Sequence, residues 1–412
     1  MDDAAPPRSM TAHVLDFLFE YQTLKIVNIG NKKIGLLNRC IQGIIVAYII
    51  GYVIVYSKGY QHFSPYNSAT TSKVKGVIST KNLTDDDFVE NFRNKDDYRR
   101  IWDVSEIVIP PSEADAFFLT TNLIMTRQGR DVCFEDPSTP NVQCRGPSDC
   151  QKGRVDLLGN GVQTGKCVNT TEPFKLESVC EIDGWCPPEY DRGPLKDNKP
   201  LFAKVEDFTV LLKNYVEFSL FNLTRRNIRD SDTSKYLTSC NYDPVKDPAC
   251  PVFRIGDILK FCGIDMSQIG SKGGVIRITI NWDCNLDFSL DYCTPTYHFM
   301  RIDDPFAKVA KGWNFRYATA QGDNNRTQFK AYGITFRIST LARGGKFYMV
   351  NLAVNIGSGL GLLALATFVC DLVVLNCMKK KELYKRNKFR FVDPLEDPEA
   401  LDDSSLDYGR IQ

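Results

Sequence analysis

Hydrophobic residues form two continuous segments, one towards each end of the chain, with a long stretch of mixed polarity between them. The first segment is uncharged from Cys40 through Ser57 and the second from Phe347 through Cys370. At about 1.5 Å per residue, each can cross the hydrocarbon core of a membrane as a helix. The pattern predicts two transmembrane helices, over residues 36–56 and 346–376.

The second apolar segment also carries a polar stripe. Asn351, Asn355 and Ser358 recur at helical spacing, so they share one face of a helix whose other faces are apolar. Unpaired polar groups at membrane depth cost free energy, so the stripe indicates either pore lining or hydrogen-bonded helix packing. The sequence of this helix alone favours neither pore lining nor helix packing. Two helices cannot enclose an aqueous path, so a channel requires several copies around an axis.

Between the apolar segments, the period of the hydrophobic pattern changes to two. Ile276, Ile278, Ile280 and Trp282 alternate with polar residues, and so do the hydrophobic residues of 334–338. Such alternation is typical of half-buried strands. The middle region is therefore predicted to be mainly β, with its last strand leading almost directly into the second transmembrane helix.

Cysteines, glycosylation signals and flanking charges define the topology. All but three of the 14 cysteines lie between Cys133 and Cys293, which indicates disulfides formed in an oxidising compartment. Asn-x-Ser/Thr sequences predict glycosylation at Asn82, Asn169, Asn222 and Asn325. Basic residues at the outer ends of both apolar segments predict cytoplasmic termini. The predicted regions are an N-terminus (1–35), helix 1 (36–56), an extracellular domain (57–345) with a disulfide-rich subdomain (133–186), helix 2 (346–376) and a C-terminus (377–412).

Composition excludes several functional classes. The net charge of +1 gives no reason to expect nucleic-acid binding. The three histidines are scattered, and there is no phosphate-binding glycine loop, zinc-protease motif or nucleophile elbow. We therefore expect no enzymatic activity, no metal site and no cofactor.

Cationic side chains do recur on one side of several predicted strands. Lys73 and Lys75 flank Val74, and Asn314 and Arg316 alternate with aromatic residues. Thr209, Leu211 and Lys213 share one face of another predicted strand. Lys330 opens the strand that leads to the second apolar segment. If these segments converge, they form a site for a multiply charged anion. The alternative is an ordinary solvated strand face.

Several short sequences occur in a characteristic order along the chain. They are Lys73–Gly76, Asn314–Arg316, Phe329–Gly333 and Asn355–Leu360, preceded by Tyr21–Lys25 and followed by Tyr384–Lys388. In this order they resemble the landmarks of the P2X-type purinergic receptors, which are trimeric cation channels opened by extracellular ATP. The resemblance extends from about Phe17 to Lys388 and is far more specific than any one motif.

The resemblance implies an ATP site between neighbouring subunits of a homotrimer. The triphosphate would be held by Lys73, Lys75, Asn314, Arg316 and Lys330. Thr209 would hydrogen-bond the adenine, Leu211 and Val252 would lie against the base, and Lys213 would share the Thr209 face. ATP, alone or with Mg²⁺, would act as an agonist that is not hydrolysed.

The resemblance also implies a pore and a disulfide pattern. The residues nearest the gate would be Val354, Asn355, Ser358 and Gly361. The disulfides would be Cys133–Cys186, Cys144–Cys167, Cys150–Cys180, Cys240–Cys250 and Cys284–Cys293, which leaves Cys262 as a buried free thiol. Asp371 lies about 160° from Asn355 around a straight helix. Either the helix bends near Gly357–Gly361, or Asp371 faces the cytoplasmic interface.

These observations predict a non-selective cation channel of the plasma membrane, opened by extracellular ATP and permeable to Na⁺, K⁺ and Ca²⁺. Two alternatives are a two-span cysteine-rich channel gated by protons or peptides, and a doubly anchored ectoenzyme or adhesion protein. No clustered carboxylate motif supports proton gating.

Overall fold

The computed structural model describes residues 31–90, 92–110, 113–310 and 312–388. The Tyr21–Lys25 motif, most of the predicted N-terminal region and the C-terminal region after 388 lie outside these residues. The chain divides into two compact units. One contains the apolar segments, up to residue 62 and from residue 347, and the other is formed by residues 63–346.

Helices and strands alternate through the described chain. The α-helices are α1 Lys32–Ala47, α2 Val104–Ile107, α3 Ser234–Ser239, α4 Ile255–Phe261, α5 Met266–Ile269, α6 Met349–Leu372 and α7 Lys381–Lys388. The strands are β1 Gln61–Ser64, β2 Tyr66–Lys75, β3 Val77–Ser79, β4 Ile101–Asp103, β5 Ala116–Phe134, β6 Gly161–Asn169, β7 Ser178–Cys186, β8 Thr209–Phe218, β9 Leu223–Arg226, β10 Val252–Arg254, β11 Gly274–Asn285, β12 Thr296–Arg301, β13 Asn314–Ala320 and β14 Asn325–Phe347.

Two helices are long and apolar enough to cross a membrane, Lys32–Tyr56 and Met349–Cys377. In the first, α1 continues as a π-helical segment, Tyr48–Tyr56. Helix α1 begins at Lys32, before the predicted residue 36, because the Asn31 side chain caps it. This side chain accepts a hydrogen bond from the Lys33 amide at 3.0 Å. The second begins at Met349 because Tyr348 still has extended backbone angles. Helix α6 runs without interruption through Gly357–Gly361, so no bend there brings Asp371 to the Asn355 face.

In the unit formed by residues 63–346, the largest sheet has the strand order β12–β11–β14–β5–β7–β6, with β13 also paired to β14. Strands β11 and β14 are parallel, with Ile276 opposite Phe336 and Ile278 opposite Ile338. These side chains are buried whereas Arg277 and Arg337 are exposed. The predicted alternation is therefore confirmed along β11, whereas in the 334–338 segment of β14 Thr335 is buried as well as Ile334 and Phe336. Only Tyr348 separates β14 from α6.

A second sheet, β10–β8–β2 with β9 paired to β8, covers the core of this unit. Val210, Leu212, Val216 and Phe218 of β8 are fully buried and pack in one cluster with Trp282 of β11. Burial of side chains this large supplies the main favourable free energy of folding. The two sheets thereby hold the exposed faces of β2 and β14 in fixed positions.

The cysteine-rich subdomain lies at the far end of β5, where β7 and β6 extend the large sheet. Within the described residues the disulfides are Cys133–Cys186, Cys144–Cys167, Cys150–Cys180, Cys240–Cys250 and Cys284–Cys293. These are the pairs that the resemblance implies. Three of them close the 133–186 segment, which has little periodic hydrophobic pattern and so depends on cross-links.

Cys262 is free and half-buried rather than fully buried, next to the main core. Burial raises the pKa of its thiol to about 11. Because only the thiolate is nucleophilic, the reactive fraction at pH 8 is expected to be about a hundredfold below that of an ordinary exposed thiol. Iodoacetamide should therefore leave Cys262 unmodified in the native protein and modify it after denaturation, as measured by peptide mass spectrometry. Rapid native labelling would contradict this prediction.

Candidate ligand-binding site

Six of the predicted ligand-binding residues lie on the second sheet. Lys73 pairs with Leu211 and Lys75 with Thr209 in the β2–β8 register, and Val252 of β10 pairs with Leu211. Residues directly opposite in an antiparallel pair share one face, so these side chains form one surface, which we call the β2–β8 set; it also includes Lys213. Both lysines are exposed, whereas Val252 is buried.

Gly76 follows Lys75 at the point where β2 ends against the core. A Cβ atom at this position would lie 2.2 Å from the Phe208 ring, a distance that atoms do not tolerate. Glycine is therefore required if Phe208 is to pack directly beneath the end of the strand that presents both lysines.

The other predicted residues, Asn314, Arg316 and Lys330, lie on the large sheet and form the β13–β14 set. Arg316 is directly opposite Lys330, and Asn314 is opposite Tyr332. The two cations therefore share one face. Arg316 keeps 56% of its side chain exposed, whereas the Lys330 side chain is only 5% exposed.

Two acidic residues that sequence reasoning missed hold these cations. The Glu189 carboxylate accepts hydrogen bonds from Arg316 Nε at 3.0 Å and Nη2 at 2.9 Å, and from Gln328 Nε2 at 2.6 Å. Asp191 Oδ1 lies 2.7 Å from Lys330 Nζ and accepts a bond from Tyr332 Oη at 2.9 Å. We call Glu189 and Asp191 the acidic pair. No local pattern in the sequence signals this pairing, because the acidic pair lies more than a hundred positions before both cations.

The ion pairs favour the charged forms of Arg316, Asp191 and Lys330. The hydrogen bond to Glu189 raises the pKa of Arg316 above its usual value. Burial alone would raise the pKa of Asp191, but the hydrogen bond and charge of Lys330 outweigh it, so the net shift is downwards. Burial likewise opposes the charge of Lys330, yet Asp191 and Tyr332 leave its pKa raised. Between about pH 5 and 8 Asp191 therefore remains anionic, and Arg316 and Lys330 remain protonated.

The β2–β8 set and the β13–β14 set remain separate in one chain. They belong to different sheets. Across the residues that the structure describes, no hydrogen bond or ion pair joins a member of one set to a member of the other. One chain therefore presents two cationic surfaces rather than one assembled site.

The predicted pore stripe of α6 makes contacts with its own unit. Asn351 Nδ2 donates to the Gln61 carbonyl at 2.8 Å, and Asn355 Nδ2 donates to the Gly59 carbonyl at 2.8 Å. Ser358 Oγ donates to the Val354 carbonyl within the helix at 2.7 Å. The two amides thus satisfy backbone oxygens just beyond the end of the first helix, which is the packing role that the sequence left open. Val354, Ser358 and Gly361 are exposed.

The four predicted glycosylation acceptors, Asn82, Asn169, Asn222 and Asn325, are all exposed. They lie on strands and turns at the surface of the 63–346 unit.

Comparison with known proteins identifies the family. The model of the ATP P2X receptor family matches residues 19–391. The chain is 41% identical to bovine P2X purinoceptor 4 over 92% of this chain and 95% of that protein. It is 39% identical to human P2X purinoceptor 5 over 94% and 85% of the respective chains.

Solved structures give the same result. The crystal structure of a P2X receptor from the Gulf Coast tick, determined with ATP and Zn²⁺ present, is 53% identical. It matches with a TM-score of 0.79 over 82% of this chain and all of the other. The chicken ATP-gated P2X7 receptor, bound to the competitive antagonist TNP-ATP, is 36% identical with a TM-score of 0.67.

The predicted fold class is confirmed: two candidate transmembrane helices flank a β-rich extracellular domain with five disulfides. The expectation of a channel rather than an enzyme is also confirmed by the family. This chain belongs to the P2X receptor family of ATP-gated cation channels.

Proposed function

We propose that ATP binds between neighbouring subunits of a homotrimer and opens a non-selective pore formed by the second transmembrane helices. The separation of the two cationic surfaces supports this proposal most directly. A ring of identical subunits places one surface of each chain against the other surface of its neighbour. The β2–β8 set of one subunit and the β13–β14 set of the next then form one site, so each site needs two chains.

Within that site, each set has a distinct role. Lys73, Lys75, Asn314, Arg316 and Lys330 bind the triphosphate, because ammonium and guanidinium groups are the usual phosphate ligands of proteins. Thr209 hydrogen-bonds the adenine and Leu211 packs against it. Val252, which is buried and directly opposite Leu211 on β10, lies against the base with it. Lys213 lies on the same face at the edge of the site.

The acidic pair makes ATP binding an exchange of partners. Glu189 and Asp191 already occupy Arg316 and Lys330. A triphosphate with greater negative charge displaces them, and the freed carboxylates suit Mg²⁺ arriving with ATP because this ion prefers oxygen ligands. The exchange replaces the groups that contact Lys330 on β14, and the last residues of β14 lead into α6. ATP therefore shifts the channel towards its open arrangement. The size of the shift is set by how much more tightly ATP binds the open arrangement than the closed one.

The proposed location is the plasma membrane, with both termini cytoplasmic and the 63–346 unit outside. Basic residues beyond both helices and the exposed glycosylation acceptors support this orientation. Na⁺, K⁺ and Ca²⁺ are the proposed permeant ions. The residues proposed to lie nearest the gate are Val354, Asn355, Ser358 and Gly361.

Recording from cells that express the chain tests the proposal. ATP applied outside is expected to evoke an inward current that reverses near zero millivolts in mixed Na⁺ and K⁺ solutions. Acidification without ATP is expected to evoke none. A current evoked by acid but not by ATP, with the protein at the cell surface, would refute the proposal.

A further inference from the structure

A cavity of about 370 Å³ lies beneath the cysteine-rich subdomain, within the 63–346 unit and apart from both cationic surfaces. Its walls come from residues 89–90 and 92–94 of one loop, from β5, from the segment 171–175 and from four residues of the segment 187–192. The volume falls within the range of about 300–1,000 Å³ that is usual for small-molecule sites. The cavity is large enough to bind an organic ligand.

One wall of the cavity is a chain of aromatic rings. Phe174 packs edge-on against Phe134 at 5.3 Å and against Tyr190 at 5.0 Å. Phe92 lines the cavity from the 89–94 loop, and Ile124 is a buried residue of its floor. Rings held in this way are a rigid surface for a flat apolar group, because little side-chain entropy remains to be lost on binding.

The rim of the cavity is cationic. Arg93, Lys175 and Arg192 line it together with the acidic residues Glu90 and Glu172. Within the described ranges, neither the Lys175 nor the Arg192 side chain forms an ion pair. Arg127 also lines the cavity, but Asp97 holds it at 2.5 Å. Aromatic walls beneath unpaired cations are suited to an amphipathic aromatic anion.

The cavity and the proposed ATP site share one segment of chain. Pro188, Tyr190 and Arg192 line the cavity, whereas Glu189 and Asp191 bind the cations of the β13–β14 set. Tyr190 therefore faces the cavity, whereas its neighbours Glu189 and Asp191 face the cations of the β13–β14 set. Anything packed against Tyr190 therefore also holds the acidic pair in place.

We infer that this cavity binds an aromatic carboxylate or sulfonate, and that its occupation opposes activation by ATP. The bound ligand stabilises the 187–192 segment in the arrangement where the acidic pair holds Arg316 and Lys330. The triphosphate must then displace carboxylates that are held more firmly. The regulatory half of this inference rests on the proposed ATP site, whereas the binding half does not. Coupling of this kind is reciprocal, so ATP also weakens binding in the cavity.

Photolabelling of the full-length protein with azidonaphthalene sulfonate tests binding directly. Labelled peptides are expected to include Phe174 or Tyr190. Thr126→Trp, which fills the cavity from β5, and Phe174→Ala, which removes part of the wall, should each lower this labelling at least tenfold. Phe288→Ala, which changes an exposed ring outside the cavity, should not. Equal labelling in all variants, or labelling confined to other peptides, would overturn the inference.

Two further measurements separate this inference from the proposed function. Arg316→Ala should still give labelling of the same peptides, because the cavity does not contain Arg316, even though it abolishes the ATP response. The unphotolysed probe should raise the ATP concentration for half-maximal current at least threefold in the unchanged channel and not in Thr126→Trp. No shift, or a shift to lower concentration, would overturn the regulatory role. If ATP evoked no current at all, the labelling would still decide whether the cavity binds the anion.

Discussion

A channel carrying Arg316→Ala is expected to give no current at an ATP concentration that saturates the unchanged protein, and Lys75→Ala is expected to have the same effect. Each substitution removes one of the charged groups that we propose to bind the triphosphate. Truncating one partner of a hydrogen-bonded charge pair costs about 2–5 kcal/mol, which is about 30- to 5,000-fold in affinity. The measurement is the ATP concentration–response curve, with surface protein quantified in parallel.

Matched controls distinguish loss of a ligand from loss of charge in general. Lys235→Ala and Arg145→Ala each remove an exposed cation outside both cationic surfaces, so their ATP sensitivity should stay within threefold of the unchanged channel. If Arg316→Ala and Lys75→Ala behaved like these controls, the proposed site would be wrong. Lys75 and Arg316 lie on different surfaces. In a trimer that mixes the two variants, an unchanged β2–β8 set can face an unchanged β13–β14 set at one interface. Coexpression of the two variants should therefore restore some current.

Asn214→Leu is expected to cause the largest loss of stability among single substitutions of polar residues in the core. Asn214 is fully buried on β8 and joins the two sheets. Its Oδ1 accepts from Trp282 Nε1 at 2.7 Å, and its Nδ2 donates to Thr340 Oγ1 at 2.9 Å and Thr70 Oγ1 at 3.0 Å. Leucine would leave the Trp282 N–H without a partner, and each such buried group costs about 1–3 kcal/mol.

Thermal unfolding of the solubilised protein measures this effect. We expect Asn214→Leu to lower the Tm by at least about 5 °C, since a loss of 1 kcal/mol lowers it by about 2–4 °C in domains of some 200 residues. Trp282→Phe, which removes the donor but keeps a ring, should lower it less. Asn281→Leu is the matched control, because its side chain lies on the opposite face of β11 from Trp282. A Tm for Asn214→Leu equal to that of the control would contradict the bridging role.

The sequence predicted the features that repeat locally. Alternation in the β11 segment from Ile276 to Trp282 identifies a half-buried strand without knowledge of its partners. Uncharged runs likewise reveal both membrane segments. The boundaries were less exact, since the start of α6 depends on Tyr348 continuing the extended backbone of β14.

Features that depend on distant contacts were not predictable in this way. Glu189 and Arg316 are 127 positions apart, and neither has a neighbour in sequence that signals the pairing. The Asn214 network is similar, because the partners of its side chain come from three other strands, β2, β11 and β14. The role of Asn351 and Asn355 was ambiguous for a different reason: an amide at membrane depth can be satisfied by water or by a carbonyl oxygen, and the helical pattern is identical in both cases.

The bonds from Asn351 and Asn355 restrict how the second helix can move. Turning α6 about its own axis would carry both amides away from the carbonyl oxygens of Gln61 and Gly59, and each broken bond in a weakly solvated setting costs about 1–3 kcal/mol. Tilting the two helices of one subunit together preserves both bonds. If the second helices form the pore, as we propose, it should therefore widen at least cost when each helix pair swings outward as a rigid body, with sliding confined to the contacts between subunits.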